Sequence, residues 1–222
     1  MIAVIVPVHN EEQTLALCLN ALSVASRYPL LFSQEVKVIV VLDNCTDASK
    51  EIALACNVSM IEISVSSVGA ARAAGAAYAI ACGAYWLANT DADTVVAPDW
   101  LWQQLRLKAE VVCGTVGVVD WSDHGAAACR LNDHFSRTYI DADGHSHIHG
   151  ANFGVSTQAY QKVGGFLPLT CSEDVALVEA LIAAGEVIAW TAAPRVVTSA
   201  RRHTRARGGF GDTLLAVTDE FD

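Results

Sequence analysis

The sequence predicts an α/β protein built on a mostly parallel sheet flanked by helices. Two observations carry that prediction. Short apolar, β-branched runs recur at residues 2–7, 36–42, 58–63 and 85–88, and helix-like stretches separate them. The connections are only a few residues long, as in successive strand–helix–strand crossovers of a doubly wound sheet.

Each element follows from local chemistry. Residues 2–7 form a continuous apolar run closed by Pro7, the pattern of a strand buried on both faces. Leu15, Leu19 and Leu22 then recur at helical spacing. After the second strand, Thr46 or Asp47 is placed to cap a helix reaching Cys56. Residues 69–82 read as an alanine-rich helix, and residues 85–88 as a fourth strand ending at Asp91-Ala92-Asp93. Beyond Pro98 a helix is expected over 100–109 and a long strand over 111–121. Residues 122–149, polar and rich in His and Asp, read as a loop or short helix over a cleft. A helix over 173–184, strands near 187–190 and 195–199, and a basic, mobile tail complete the reading. One domain of 222 residues is expected, in two parts, 1–97 and 98–200, followed by a tail over 201–222.

Composition narrows the function. With 53% hydrophobic residues the chain is not disordered, and a formal charge of −10 argues against nucleic-acid partners. The uncharged run 73–90 is built from Ala and Gly and reads as a buried helix and strand rather than a membrane span, leaving peripheral membrane contact open. Met1 leads straight into a strand, so no secretory leader is expected. Seven scattered cysteines, never spaced as CxxC, fit a reducing cytoplasm and buried thiols rather than disulfides or zinc.

In an open α/β sheet, ligands bind beyond the carboxyl ends of the strands. Polar clusters stand there after strand one (His9-Asn10-Glu11), strand two (Asp43-Asn44) and strand four (Asp91-Ala92-Asp93). Asp91 and Asp93 alternate onto one side, and their hard oxygens suit Mn²⁺ or Mg²⁺ with positions left for phosphates.

Five pieces occur in order: Ile-Val-Pro-Val-His-Asn-Glu-Glu (5–12), Val-Val-Leu-Asp-Asn-Cys-Thr-Asp (40–47), Gly-Ala-Ala-Arg-Ala-Ala-Gly (69–75), Asn-Thr-Asp-Ala-Asp (89–93) and Ser-Glu-Asp-Val (172–175). With them the chain resembles the family 2 glycosyltransferases of the GT-A fold over about residues 2–210. That resemblance implies a UDP- or GDP-sugar donor, a divalent cation, and a sugar, lipid-linked or small-molecule acceptor. It implies that Pro7, His9 and Glu11 line the nucleotide pocket and that Asp43 meets the base. Arg72 would lie near the ribose or diphosphate, Asp91 would contact ribose and metal, and Asp93 would bind the metal. Asp174 matches the family's catalytic base for an inverting transfer. His149, Gly150, Asn152 and Glu173 fall on the acceptor side. In the tail, His203 matches an extra metal ligand, and Arg201 and Arg207 beside it suit a diphosphate.

The sequence departs from the family pattern in places: His9 stands where an aromatic is frequent, and Ala73 where asparagine is common. The Gln-x-x-Arg-Trp signature of processive synthases is absent, which favours a single transfer. A retaining GT-A enzyme on a phosphorylated or carboxylated acceptor, and a non-catalytic nucleotide-binding relative, remain open. A nucleotidylyltransferase is disfavoured because His-Asn-Glu-Glu replaces a Gly-rich loop. His145, His147 and His149 alternate as in a strand, and an exposed His-rich loop is the expected form.

Overall fold

A computed structural model describes residues 1–32 and 34–202. Its first half is the expected alternation: β1 (Ile2–Val8), α1 (Leu15–Ala25), β2 (Val36–Asp43), α2 (Ser49–Ala55), β3 (Ser59–Ile63), α3 (Val68–Ala81) and β4 (Trp86–Asn89). β1 lies between β2 and β4, parallel to both, with Ile2 opposite Val36 and Trp86. Side-chain alternation sorts β1 between two cores. Ile2, Val4 and Val6 pack with Leu15, Leu19 and Leu22 of α1 on one face, while Ala3 and Ile5 pack with Ala71, Ala76 and Ala79 of α3 on the other. Each buried leucine contributes about 2 kcal/mol. The small residues of α3 bring its axis close to the sheet. At Gly75 a Cβ would stand 2.7 Å from Cγ2 of Ile5, too close for any side chain.

The second half continues with β5 (Val95–Val96), α4 (Trp100–Leu105), β6 (Val111–Gly114), α5 (Ala128–Thr138), β7 (Phe153–Ser156), α6 (Thr157–Lys162), α7 (Glu173–Ala183), β8 (Ile188–Thr191) and β9 (Val196–Val197). The main sheet runs β3-β2-β1-β4-β7-β6-β8, and β5 pairs with β9 in a separate ribbon. β7 is antiparallel to both β4 and β6, so the sheet is mixed rather than wholly parallel. Among the described residues no helix is long and apolar enough to cross a membrane.

Two expectations for this half are corrected, and two elements are added. The strand expected over 111–121 stops at Gly114, where the Asn152 amide lies so close that a Cβ would be 2.2 Å away; beyond it only Gly117 bridges to Val197. The helix expected over 100–109 ends at Leu105, and Lys108 turns the chain with a φ of 54°. β7 and α6 fall where the sequence carries no clear signal, since four residues with an internal glycine show no strand period. Gly154 admits Gln104 and Trp86 against the sheet, and Ser156 caps α6 by accepting from Ala159 N–H.

Candidate active site

The carboxyl ends of β1, β2 and β4 open onto a cleft of about 810 Å³. Pro7, His9, Glu11, Asp43, Arg72, Asp91, Asp93, His149, Gly150, Glu173, Asp174 and Arg201 all line it. Residues drawn from both halves of the chain are thereby gathered around one space.

On the nucleotide side, Asp43 ends β2 with its carboxylate held by three backbone donors. Oδ1 accepts from Val65 and Ser66 N–H at 2.8 and 2.9 Å, and Oδ2 from Ser67 N–H at 2.8 Å. Burial opposes its ionisation, but these three bonds and nearby His9 outweigh it and hold the carboxyl below its ordinary range. The loop so gathered passes through Ser66 at a φ of 55° and starts α3 with Ser67, whose hydroxyl accepts from Ala70 N–H. That hydroxyl also donates to Leu169 O at 2.9 Å, tying α3 to the approach to α7. His9 Nδ1 lies 2.7 Å from Asp43 O.

Arg72 is the hub of the cleft. Only 1% exposed, it donates from Nε to Glu173 at 2.9 Å and from Nη2 to Asp91 at 2.5 Å. Burial disfavours its charge, yet Asp91, Glu173 and Asp174 together push its pKa above the usual arginine value. Nη1 is buried without a hydrogen-bond partner among the described residues. Only glycine fits at position 150, because a Cβ there would come within 2.5 Å of the Arg72 Nη2.

At the other side of the strand ends, Glu11 accepts two bonds of 2.6 Å from Arg201, which also contacts Asp93 at 3.2 Å. Burial pushes the Asp93 carboxyl up to about 6 against the pull of Arg201, with Asp91 and Glu11 adding to the rise. Cys18, buried beneath, donates to Asp91 O at 3.4 Å, and its thiol is raised by burial and by these carboxylates.

Asp174 stands in the first turn of α7, where the helix dipole favours an anion. Its Oδ2 accepts from Gly150 N–H at 2.6 Å and its Oδ1 from Val175 N–H at 2.8 Å. Ser172, at a φ of 59°, aims the helix start at the cleft. Next to Gly150, His149 Nε2 lies 2.9 Å from the Tyr139 hydroxyl, which accepts from Val116 N–H. Burial, then His147 and His145, push the His149 pKa down to about 4.

The residues fit a divalent cation in one specific sense. Asp91 and Asp93 offer hard oxygens on one cleft, the partial shell that a small cation completes with water and phosphate oxygens. Among the described residues no group of three His, Cys, Asp or Glu side chains forms a ligand set on its own.

The other site expectations divide. Asn152, expected on the acceptor side, is fully buried away from the cleft: its Nδ2 donates to Thr115 O and Pro194 O, and its Oδ1 accepts from Trp100. It braces the scaffold. The histidine trio is not an exposed loop either. His145 is buried, its ring stacks with His147 at 5.4 Å, and His147 stacks on Tyr139 at 4.1 Å. His203 and Arg207 lie outside the described residues. Sequence reading missed the 65–67 loop, Tyr139 and the pairing of Glu11 with Arg201. Only the last left a trace, in the arginines crowded near the C-terminus.

Among curated proteins none matches the chain in sequence. Solved structures share its fold at low identity. S. aureus TarS 1-349 in complex with UDP-GlcNAc is 14% identical with a TM-score of 0.65, and covers 97% of this chain and 64% of its own. The mannosyltransferase PcManGT from Pyrobaculum calidifontis, in complex with GDP-Man and Mn²⁺, is 18% identical with a TM-score of 0.66 over 93% of this chain and 58% of its own. Glucosyl-3-phosphoglycerate synthase from Mycobacterium tuberculosis, with Mn²⁺, UDP and phosphoglyceric acid, is 16% identical with a TM-score of 0.63 over 99% and 78%. The chain thus spans less than two thirds of the TarS fragment. The profile described as Glycosyl transferase family 2 matches residues 3–164, most of the sequence, and on the cleft and topology above this chain belongs to that family, in the GT-A fold.

Proposed function

We propose that the chain transfers a sugar from a UDP- or GDP-sugar to an acceptor hydroxyl, with inversion and with help from Mn²⁺ or Mg²⁺. One observation carries the reading: Asp91 and Asp93 at the end of β4 and Asp174 at the start of α7 face the same cleft. A transfer of this kind needs those two functions side by side, one neutralising a leaving diphosphate and one accepting a proton. The nucleotide, nucleotide-sugar and Mn²⁺ complexes of the structural relatives support the reading.

Each residue then has a chemical part. Pro7, His9 and Asp43 border the base and ribose, and the loop that Asp43 holds gives their wall its shape. Arg72 fixes Asp91 and Glu173 by charge-assisted bonds, so the ribose-side carboxylate and the start of α7 keep one spacing. Asp91 and Asp93 would hold the cation, which supplies countercharge to the departing diphosphate when bound. Asp174 takes the proton from the acceptor hydroxyl as its oxygen attacks the anomeric carbon and the bond to the diphosphate breaks. Gly150 N–H orients that carboxylate, and His149 and Glu173 border the acceptor.

The test is a panel of UDP- and GDP-sugars read by thermal shift and by hydrolysis, with Mn²⁺ and with chelator. Stabilisation that requires the cation is expected for one nucleotide; stabilisation indifferent to chelator overturns the metal assignment. Asp174→Asn is expected to keep donor binding and lose transfer by 10²-fold or more, on the order of a general base's contribution. Wild-type turnover in that variant removes the base assignment, and the anomer of the product, read by NMR, decides inversion.

A further inference from the structure

The donor end of the cleft brings together three carboxylates, Glu11 and Asp93 largely buried and Asp91 more open to water. Two arginines answer them. Arg72 takes Asp91 from the side of α3, and Arg201 takes Glu11 with two bonds of 2.6 Å while its Nη2 reaches Asp93 at 3.2 Å. Arg201 is held for this purpose from outside the sheet. Its neighbour Ala200 is buried against Trp121 and Leu131, and the Ala200 carbonyl lies 2.6 Å from His124 Nε2. The Arg201 side chain retains 23% exposure, against 7% for Glu11 and 14% for Asp93, so the guanidinium closes the acidic seat from its solvent side.

Arg201 Nη2 stands 3.2 Å from Oδ2 of Asp93, so a cation on that carboxylate would lie beside the guanidinium. Two positive charges do not share that position without strong repulsion. A diphosphate arriving with the cation brings the anionic oxygens that a released guanidinium binds well, as a two-pronged partner.

We propose that Arg201 is the resident cation of this seat: it neutralises Glu11 and Asp93 in the empty enzyme, yields Asp93 to the divalent cation, and turns its guanidinium to the donor diphosphate. The proposal rests on the metal-assisted reading above and goes beyond it by making cation and nucleotide binding mutually dependent. A cation alone must displace a half-buried, doubly bonded arginine that gains nothing in return. With the nucleotide present, the arginine exchanges one anion for another. Each ligand therefore raises the affinity for the other, and by linkage both effects are equal.

Arg201→Gln tests this with opposite signs in one variant. Mn²⁺ binding, followed by the loss of its free electron-paramagnetic-resonance signal, is expected to tighten about tenfold without nucleotide. Binding of UDP or GDP at saturating Mn²⁺, followed by calorimetry, is expected to weaken about tenfold, so that, with metal-free nucleotide binding unchanged, the coupling between the two ligands falls about tenfold. A purely structural role for Arg201 weakens both. Arg201→Lys keeps the charge but loses the two-pronged pairing with Glu11, and is expected to move both affinities in the same directions by less; it serves equally if the glutamine variant does not fold. Mn²⁺ affinity that is unchanged or weaker in both variants overturns the exchange. Should neither wild type nor variant bind Mn²⁺ even with UDP or GDP bound, the metal-assisted reading fails instead.

Discussion

Several side chains of the cleft shape the protein before they meet a ligand. Asp43 is the clearest, since three backbone N–H groups of residues 65–67 converge on its two oxygens. A sequence shows that a carboxylate ends a strand, but not that a loop more than twenty residues later will fold around it. His149 is a second case, and it yields a pH dependence. Its pKa is held near 4, whereas an unfolded histidine titrates near 6.5. The unfolded chain therefore binds the extra proton first. The stabilisation from neutral His149 is fully present above about pH 6.5 and is lost as the pH falls toward 4, by up to roughly 3 kcal/mol. His149→Gln cannot titrate, so the stability of wild type relative to this variant, measured by denaturant unfolding, is expected to fall between pH 7 and 4.5. A constant difference would show that His149 takes up its proton in the folded state as readily as in the unfolded one.

Among elements, α3 and α7 act as a pair. Gly69, in the first turn of α3, donates to Leu169 O at 3.0 Å, and a Cβ there would lie 2.1 Å from Leu167 O. Since backbone cannot yield as a flexible side chain does, the stretch before Ser172 would have to shift, and α7 carries Asp174 at its start. Gly69→Ala is thus expected to cost about 1–3 kcal/mol of stability and to lower kcat more than it raises the donor KM. Equal loss in both would place the effect on the donor rather than on the base. β7 makes the opposite point about legibility. Its four residues are too few for a clear period, and its glycine stands where Gln104 and Trp86 press on the sheet.

At the level of the whole molecule, β4 and β7 join the two halves of the sheet, and the cleft lies where those halves meet. Glu11 and Arg201, at opposite ends of the described chain, complete one wall of it. An overall charge of −10 gives no hint of such a contact. Ending the chain at Ala200 removes this wall, and the dissociation constant of UDP or GDP with Mn²⁺ is expected to rise at least about tenfold while the fold persists. An unchanged constant would show that the donor is held by residues 1–200 alone.

The sequence by itself determined the strand and helix alternation of the first half and the short motifs through which the chain resembles its family, and that resemblance assigned Asp43, Arg72, Asp91, Asp93 and Asp174 to one site. These features are local: apolar periodicity, strand ends and short motifs are written in neighbouring residues. Only the tertiary structure decided that Asn152 braces the interior, that the histidines stack under Tyr139, and that Arg201 closes the acidic seat. Those outcomes depend on contacts between residues far apart in the chain, where packing and burial choose each partner and no local pattern records the choice.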